Sequence, residues 1–293
     1  MTTHCGYIAI IGRPNVGKST LLNALLGKKL SITSRKPQTT RHRILGVKTL
    51  NNTQYIYVDT PGIHEAEPKL INQYLNRTAI SALKDVDIVI WVVDALHWSS
   101  EDEFILEKVK KLQISLLVVI NKTDKVDNKE DILKLLTEFS EKLPQAECVP
   151  ISAKKSYNLE KLEKIIQSKL PESTFFFDEN AITDRSESFI CAEMIREKLV
   201  RLLGKELPYA TTVAIQSMEK KKNILHISAV IWVEKEGQKK IVIGEQGQMI
   251  KMIGQHSRLS MEKYFDQKIF LALWVKVKAR WTENERILRD ILQ

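Results

Sequence analysis

A glycine-rich loop near the start of the chain constrains its fold more than any other feature. Gly12, four further residues and then Gly17-Lys18-Ser19 match the pattern G-x-x-x-x-G-K-[ST]. An apolar run at 8–11 precedes the loop, and residues 21–26 follow it with apolar side chains at helical spacing. This strand–loop–helix order is the context that a phosphate-binding loop requires. The alternative, a glycine turn with an exposed lysine, does not need such flanks.

The chemistry of this loop follows from its backbone. Glycines let N–H groups turn inward toward an anion, and the next helix directs its positive end to the same place. Lys18 would then reach the β- and γ-phosphates, and the Ser19 hydroxyl would bind Mg²⁺. The phosphate-binding residues predicted in the loop are Gly12, Arg13, Pro14, Asn15, Val16, Gly17, Lys18, Ser19 and Thr20.

A second predicted phosphate-site segment follows the strand at 54–58. Its residues, read in order, are Asp59, Thr60, Pro61 and Gly62. A carboxylate at the end of a strand beside a phosphate loop can hold Mg²⁺. Gly62 has a free N–H and no side chain, so it can approach the γ-phosphate closely. The alternative is an ordinary Pro-Gly turn, which the position of this segment behind the phosphate loop disfavours.

The polar segment 34–43 has no hydrophobic period and separates the first helix from the strand at 44–50. Such a segment is a candidate for a loop that becomes ordered over a γ-phosphate. Thr40 is the hydroxyl we select as a further Mg²⁺ ligand. The four basic residues of the segment are equally compatible with a solvated surface.

Two later segments predict the base that the site selects. Asn121-Lys122-Thr123-Asp124 follows the apolar strand at 116–120, and ligands on α/β sheets bind where strands end. The Asp124 carboxylate can accept from guanine N1 and N2, while Asn121 braces the loop. The predicted guanine-binding residues are Asn121, Lys122, Asp124, Ser152, Ala153 and Lys154, the last three contributing a backbone N–H to guanine O6.

Charge divides the chain into two unlike halves. The whole chain has a formal net charge of +9, of which residues 185–293 contribute +7, from 20 Lys and Arg against 13 Asp and Glu. Alternating strands and helices predict a doubly wound α/β domain at 1–172, followed by a linker at 173–187 and a basic domain at 188–293. A basic domain predicts a polyanionic partner, either nucleic acid or an anionic membrane surface.

In the basic half, the pattern predicts a helix, two strands, a short strand at 240–243, a helix, a strand and a C-terminal helix at 283–292. Gly244 and Gly247 form a G-x-x-G loop, which in KH domains clamps the backbone of single-stranded nucleic acid. Alone, G-x-x-G often marks only a turn. The predicted RNA-binding residues are Ile243, Gly244, Glu245, Gln246, Gly247, Ile250 and Lys251.

Together these motifs resemble the signature elements of the translation-factor class of GTPases. Asn15, taken with Gln38-Thr39-Thr40-Arg41, resembles the Era family in particular, and the frame around the G-x-x-G loop is similar to a type II KH domain. The resemblance implies a P-loop GTPase domain with a mostly parallel, doubly wound sheet, followed by a smaller α+β type II KH domain. It also implies Mg²⁺-dependent GTP hydrolysis, binding of single-stranded 16S rRNA near its 3′ end, and a role in assembly of the small (30S) subunit.

One departure bears on catalysis. Ile63 occupies the position where Ras-like enzymes carry a glutamine that orients the attacking water, so slow intrinsic turnover is predicted. We assign the catalytic roles to Lys18, Thr40, Gly62 and Asn15. In relatives that use K⁺, an asparagine at the position of Asn15 binds the ion; a purely loop-stabilising role is the alternative. A nucleotide-gated RNA-binding scaffold with negligible hydrolysis, or a GTPase recruited to an anionic membrane, are the rival functions.

The expected location is the cytoplasm. Cys5, Cys148 and Cys191 lie far apart without metal-binding or redox spacing, and no export signal is recognisable at the N-terminus. The basic charge of the C-terminal half is also compatible with a weak peripheral association with the inner face of the cell membrane. A monomer is expected.

Overall fold

The structure, a computed structural model, describes residues 2–34, 43–62, 85–204 and 207–279. These residues form two compact units. The first unit contains 2–31, 43–62 and 85–184, and the second contains 32–34, 185–204 and 207–279. Thr40, Ile63 and the C-terminal helix predicted at 283–292 lie outside the described residues.

The described residues of the first unit contain a six-stranded sheet in the spatial order β2-β3-β1-β4-β5-β6. The pair β2–β3 is antiparallel, and the other neighbouring pairs are parallel. The predicted mostly parallel sheet is therefore confirmed. The strands are β1 (His4–Ile11), β2 (Ile44–Leu50), β3 (Thr53–Asp59), β4 (Ile88–Asp94), β5 (Ser115–Asn121) and β6 (Glu147–Pro150).

Helices cover both faces of this sheet. Ile8 and Ile10 of β1 pack in one cluster with apolar residues of α1 (Lys18–Leu26) and α4 (Leu159–Lys169). Ala9 and Ile11 point the other way, into a cluster with α2 (Ser100–Val109) and α3 (Lys129–Lys142). Because both faces are buried, the central strands read as continuous apolar runs rather than alternating ones.

The segment predicted as a linker packs on the first unit as far as residue 184. The Gln54 side-chain oxygen accepts from the backbone N–H groups of Phe176 (2.9 Å) and Phe177 (3.0 Å). The Val47 N–H donates to the Ile182 carbonyl at 2.8 Å. The side chains of Phe175 and Phe177 pack against a buried cluster of β1, β2 and β3.

The second unit combines a three-stranded sheet, in the order β7-β8-β9, with helices. The pair β7–β8 is antiparallel and β8–β9 is parallel. The elements are α5 (Glu187–Leu202), β7 (Thr212–Lys221), β8 (Ile224–Val233), α6 (Glu236–Ile243), α7 (Gln248–Phe265) and β9 (Lys268–Val277). In the part of the chain described, no helix has the length and apolar character needed to cross a membrane.

The short strand predicted at 240–243 is wrong, because these residues form the last turn of α6. The Gln238 side-chain oxygen accepts from the backbone N–H groups of Glu234 (2.8 Å) and Lys235 (3.1 Å), which supports the start of this helix. Val242 is fully buried while Ile241 is 57% exposed, as on one face of a helix. A short apolar run does not distinguish a strand from a buried helix face.

Candidate functional site

The phosphate loop connects β1 to α1 through a backbone that requires glycine at two positions. Gly12 has φ +148°, and a Cβ there would lie 2.4 Å from the Val92 carbonyl oxygen. Gly17 has φ +107°, and a Cβ would lie 2.3 Å from Nδ2 of Asn121. Asn15 also has a positive φ, +63°, and its side chain is exposed. The two glycines thus let Val92 and Asn121 approach the backbone of the loop closely.

Lys18 begins α1 and lies across this loop. Its Nζ donates to the carbonyls of Gly12 (2.8 Å) and Arg13 (2.9 Å), and the residue is only 6% exposed. Burial lowers the pKa of Lys18 to about 8, although the nearby Asp59 carboxylate acts in the opposite direction. A cation that is desolvated to this degree gains strongly from an anion placed in the loop.

The predicted metal ligands Ser19 and Asp59 are brought into contact. The Ser19 hydroxyl donates to Oδ2 of Asp59 at 3.0 Å, and the Ser31 hydroxyl donates to the same oxygen at 2.6 Å. Thr20 follows in the first turn of α1. Hydroxyl and carboxylate oxygens at a phosphate loop suit Mg²⁺, which completes its coordination with phosphate oxygens and water. Ser31 was not predicted from the sequence, since no local pattern marks it.

The segment after Asp59 rests against the phosphate loop. The Thr60 hydroxyl donates to the Ile10 carbonyl at 2.9 Å, so its side chain fixes the segment to β1. A Cβ on Gly62 would lie 2.9 Å from Cγ and 3.0 Å from the backbone N of Pro14. Close approach of two backbones explains the glycine, and Pro61, which is buried, precedes it.

The Arg13 side chain makes its shortest hydrogen bonds to residues outside the phosphate loop. Its Nε donates to Oδ2 of Asp102 at 2.7 Å, and its Nη2 donates to the His97 carbonyl at 2.9 Å and lies 3.8 Å from Asp94. Asp102 is fully buried and also accepts from the backbone N–H and hydroxyl of Ser99 at the start of α2. The guanidinium therefore braces the loop against α2, and sequence reasoning missed both of its carboxylate partners.

Asn121, at the end of β5, links the phosphate loop to the predicted base-binding segments. Its Nδ2 donates to the Val16 carbonyl at 2.8 Å, and its Oδ1 accepts from the Ala153 N–H at 3.0 Å. One buried side chain thus joins its own segment to the phosphate loop, 105 residues earlier, and to the segment at Ala153, 32 residues later. This geometry matches the bracing role inferred for Asn121.

The other predicted guanine-binding residues follow β5 and β6, at the same end of the sheet. Asp124 is exposed, and its Oδ1 accepts from the Ser152 hydroxyl at 2.5 Å. The Lys122 ammonium pairs with Asp94 at 2.5 Å, which holds its stem in place. Lys154 follows Ser152 and is exposed. The carboxylate is therefore oriented by a buried neighbour while remaining accessible to a base.

The G-x-x-G loop of the second unit lies between α6 and α7. Gly244 has φ +75°, and a Cβ there would lie 2.6 Å from Cβ of Met249. Gly247 has φ +76° and open space around it. Gln246 between them has φ +49°, and α7 begins directly after the loop. The remaining predicted RNA-binding residues are two half-buried isoleucines and two exposed charged residues: Ile243, Ile250, Glu245 and Lys251.

Comparisons with known proteins agree with this architecture. A family model described as a 50S ribosome-binding GTPase matches residues 7–122, and a KH domain model matches residues 206–282. Fold and site together define a GTPase domain followed by a KH domain.

Relatives match over nearly the full length. GTPase Era of Pseudomonas aeruginosa strain PAO1 is 55% identical, over 99% of this chain and 95% of the relative. GTPase Era of Pseudomonas putida strain W619 is also 55% identical, over 99% of this chain and 96% of the relative. The chain belongs to the Era family of GTPases, and it hydrolyses GTP.

Two solved structures share the fold. A crystal structure of an Aquifex aeolicus Era variant bound to GDP and aluminium fluoride has a TM-score of 0.94 at 39% identity, covering 99% of both chains. A crystal structure of Era with MgGDPNP and nucleotides 1506–1542 of 16S ribosomal RNA also has a TM-score of 0.94, at 40% identity, covering 99% of this chain and 98% of that one. The predicted resemblance and the predicted P-loop GTPase and KH fold are confirmed.

Proposed function

We propose that this GTPase acts in assembly of the small (30S) ribosomal subunit, where its KH domain binds single-stranded 16S rRNA near the 3′ end under the control of the bound nucleotide. A relative 40% identical to this chain is bound to MgGDPNP and to nucleotides 1506–1542 of 16S rRNA. The exposed G-x-x-G loop at the start of α7 supports the same role here, since helix N–H groups and glycine backbone suit phosphates.

Residues of the first unit divide the work of holding GTP. The loop N–H groups and the Lys18 ammonium bind the β- and γ-phosphates, and the Asp124 carboxylate reads guanine. Ser19, Asp59 and the predicted Thr40 would hold Mg²⁺, which would neutralise charge on the phosphates. The close contact of Ser19 and Asp59 at 3.0 Å supports this assignment.

Control of RNA binding by nucleotide rests on one observation. Ser31 donates to Asp59 in the first unit, and two residues later Thr33 belongs to the second unit. There Arg201 of α5 donates from Nη2 to the carbonyl (2.9 Å) and the hydroxyl (3.0 Å) of Thr33. A conformational change at Asp59 can therefore be transmitted along residues 31–33 to the contact with α5, as a switch segment requires.

The G-x-x-G clamp is tested by a matched pair of substitutions at Gly247. Gly247→Asp and Gly247→Asn have the same shape, and both tolerate the positive φ of +76° in open space. Only Asp adds a negative charge where an RNA phosphate would lie. We expect Gly247→Asp to abolish binding of a 16S 3′-end RNA while Gly247→Asn retains most of it, with GTP affinity unchanged in both.

Equal RNA affinity of these two variants would contradict RNA binding by the G-x-x-G loop. Co-sedimentation of the wild type with purified 30S subunits, set against 50S subunits, tests the assembly role in the same preparation. Binding to 50S subunits alone would contradict it.

We also propose how GTP hydrolysis proceeds without a glutamine to position the attacking water, with K⁺ as a cofactor. With Ile63 after Gly62, we expect slow turnover without a partner, and Asn15 would hold K⁺. Gly tolerates the positive φ of Asn15, +63°, so Asn15→Gly removes the side chain without straining the loop. We expect K⁺ to stimulate single-turnover GTP hydrolysis relative to Na⁺ in the wild type and not in this variant. Equal stimulation in both proteins would leave Asn15 with a loop-stabilising role only.

The same proposal places the protein in the cytoplasm as a monomer. Cys5 and Cys191 are buried free thiols, and burial raises the pKa of the Cys191 thiol to about 12. Such thiols are unreactive and suit a reducing compartment. Cell fractionation with gentle lysis distinguishes a cytoplasmic pool from a membrane-associated one.

A further inference from the structure

The three-stranded sheet of the second unit has one packed face and one open face. In β8 the odd-numbered residues from 225 to 233 are all buried. Side chains alternate along a strand, so the even-numbered residues of β8 point to the opposite, outer face. The parallel register pairs His226 with Phe270 and Trp232 with Lys276, so the even-numbered residues of β9 share that outer face.

This outer face carries exposed aromatic rings. Phe270 is 56% exposed and Trp274 is 46% exposed, which is unusual for side chains of this size. The His226 ring lies 5.1 Å from the Phe270 ring, so the two rings form a continuous aromatic surface. Trp274 is four residues further along β9, about 13 Å away at about 3.3 Å per residue.

Lysines accompany the aromatic rings. Lys268 and Lys276 on β9 are exposed on the same face, and the Lys278 ammonium lies 5.9 Å from the centre of the Trp232 ring. Among the described residues, none forms an ion pair with Lys276 or Lys278. The one acidic side chain that the register places on this face, Glu219 of β7, is paired with Lys221 at 3.0 Å.

This composition selects among possible partners. Protein interface cores are enriched in aromatic residues but depleted in lysine. Rings that alternate with cations are instead the arrangement with which proteins bind single-stranded nucleic acid, because bases stack on the rings and phosphates meet the cations. The net charge of residues 185–293, +7, is opposite in sign to that of such a partner.

We propose that the outer face formed by Phe270, Trp274, His226 and Trp232 is a second RNA-binding surface that stacks unpaired bases. The proposal rests on the RNA binding proposed above, and it extends that site to the other side of the sheet. The G-x-x-G loop leads into α7, whose Gly254 lies against Leu273 on the packed face of β9. Among the described residues β9 is an edge strand, so one RNA strand can pass around it from the loop to the outer face.

RNA length separates the two surfaces experimentally. A G-x-x-G loop clamps about four nucleotides, so a tetranucleotide occupies that loop alone, whereas a single strand of about twelve nucleotides reaches further. Phe270→Ala and Trp274→Ala should each lower affinity for the longer RNA about tenfold, as the loss of one stacked base does. Affinity for the tetranucleotide should not change. Leu259→Ala is the matched control, because Leu259 in α7 is 50% exposed and belongs to the same unit.

Conservative variants test stacking itself. Phe270→Tyr should retain affinity, while Phe270→Leu, which remains apolar, should lose as much as Phe270→Ala. Equal affinity of wild type and the alanine variants for the longer RNA would overturn the proposal. Two other results would overturn it, each seen with the variant that carries both Phe270→Ala and Trp274→Ala and keeps full RNA affinity. One is loss of a dimer that the wild type forms in light scattering. The other is loss of binding to anionic phospholipid vesicles that the wild type binds.

Failure of the proposed function gives a different result. If Gly247→Asp leaves tetranucleotide binding unchanged, the G-x-x-G site itself is wrong. If Gly247→Asp abolishes tetranucleotide binding and the aromatic variants change nothing, only the second surface is wrong.

Discussion

The nucleotide site and the G-x-x-G loop both depend on glycines, but they are built on opposite plans. In the first unit, Lys18, Asp59 and Asn121 are buried and held by hydrogen bonds to other parts of the site. In the second unit, the loop between Gly244 and Gly247 lies at the surface with exposed side chains. The first site is a set of buried side chains held in place by hydrogen bonds, and the second is an exposed backbone turn in a basic domain.

The difference predicts how each site responds to substitution. A preorganised site fails when one buried contact is lost, because its members hold one another in place. An exposed loop loses affinity in small increments, since each surface charge contributes a screened and separate amount. Substitutions in the first unit should therefore have large and specific effects, and those in the second unit should be graded.

The largest effect is expected at Gly12. Gly12→Ala places a Cβ 2.4 Å from the Val92 carbonyl oxygen at a φ of +148°, so we expect GTP binding to be abolished. The free energy of unfolding should fall by about 3 kcal/mol, as for a strongly strained residue. Gly27→Ala is the control, because Gly27 has φ +66° but open space around it. It should retain GTP affinity and lose about 1 kcal/mol in urea denaturation.

Asp124→Asn should alter base selection by about a hundredfold, the value of one well-placed bidentate pair. An amide presents a donor where the carboxylate accepts from guanine, and xanthine offers an acceptor there. The amide oxygen can still accept from Ser152, which now donates to Asp124 at 2.5 Å. Competition of GTP and XTP for the variant measures the change. An unaltered preference for GTP would remove Asp124 from base recognition.

Lys18 should make GTP affinity depend on pH above about 8. The pKa of Lys18 is lowered to about 8 without nucleotide, and bound phosphates raise it. The complex then holds a proton that the free protein has lost, so affinity should fall about tenfold per pH unit above 8. The variant Lys18→Met should bind GTP weakly, and its GTP affinity should not show this pH dependence.

Stability of the nucleotide-free protein should change in the opposite direction. The unfolded chain has the ordinary Lys pKa of 10.5, so it binds more protons than the folded one between about 8 and 10.5. The free energy of unfolding should therefore rise with pH across that window, relative to Lys18→Met. A fall in that difference would contradict the burial of a charged Lys18.

The smallest effect is expected at Lys251 beside the G-x-x-G loop. Lys251→Gln removes one exposed cation, so RNA affinity should fall about fivefold at 0.1 M salt, and the log–log salt slope should become shallower by about 0.7. Lys161→Gln, an exposed lysine of the first unit, is the matched control. A loss that persists unchanged at high salt would indicate a specific contact rather than a phosphate contact.

The elements that local pattern specifies were predictable from the sequence. The apolar runs of β1, β4 and β5 and the helical spacing of α1 are each strong signals, and the fold class and family predicted from them are confirmed. The run 240–243 was misassigned because its three apolar residues fit a strand as well as a helix, and only burial of Val242 decides between them.

Contacts between distant side chains were not predictable. Ser31 and Asp102 have no motif of their own, yet one donates to Asp59 and the other accepts from Arg13. Arg13 lies in the phosphate loop as predicted, but the orientation of its side chain depends on Asp102 of α2, which is 89 residues further along the chain. The sequence identifies which backbone forms the site, while tertiary packing decides which side chains brace it.

The central claim is that the nucleotide in the first unit controls RNA binding by the second. It is tested most directly by the affinity of a fluorescent 16S 3′-end RNA for the protein loaded with Mg²⁺ and either a non-hydrolysable GTP analogue or GDP. The account predicts binding at least about fivefold tighter in the triphosphate state, the lower end of typical allosteric coupling. Identical affinities in the two states would contradict it.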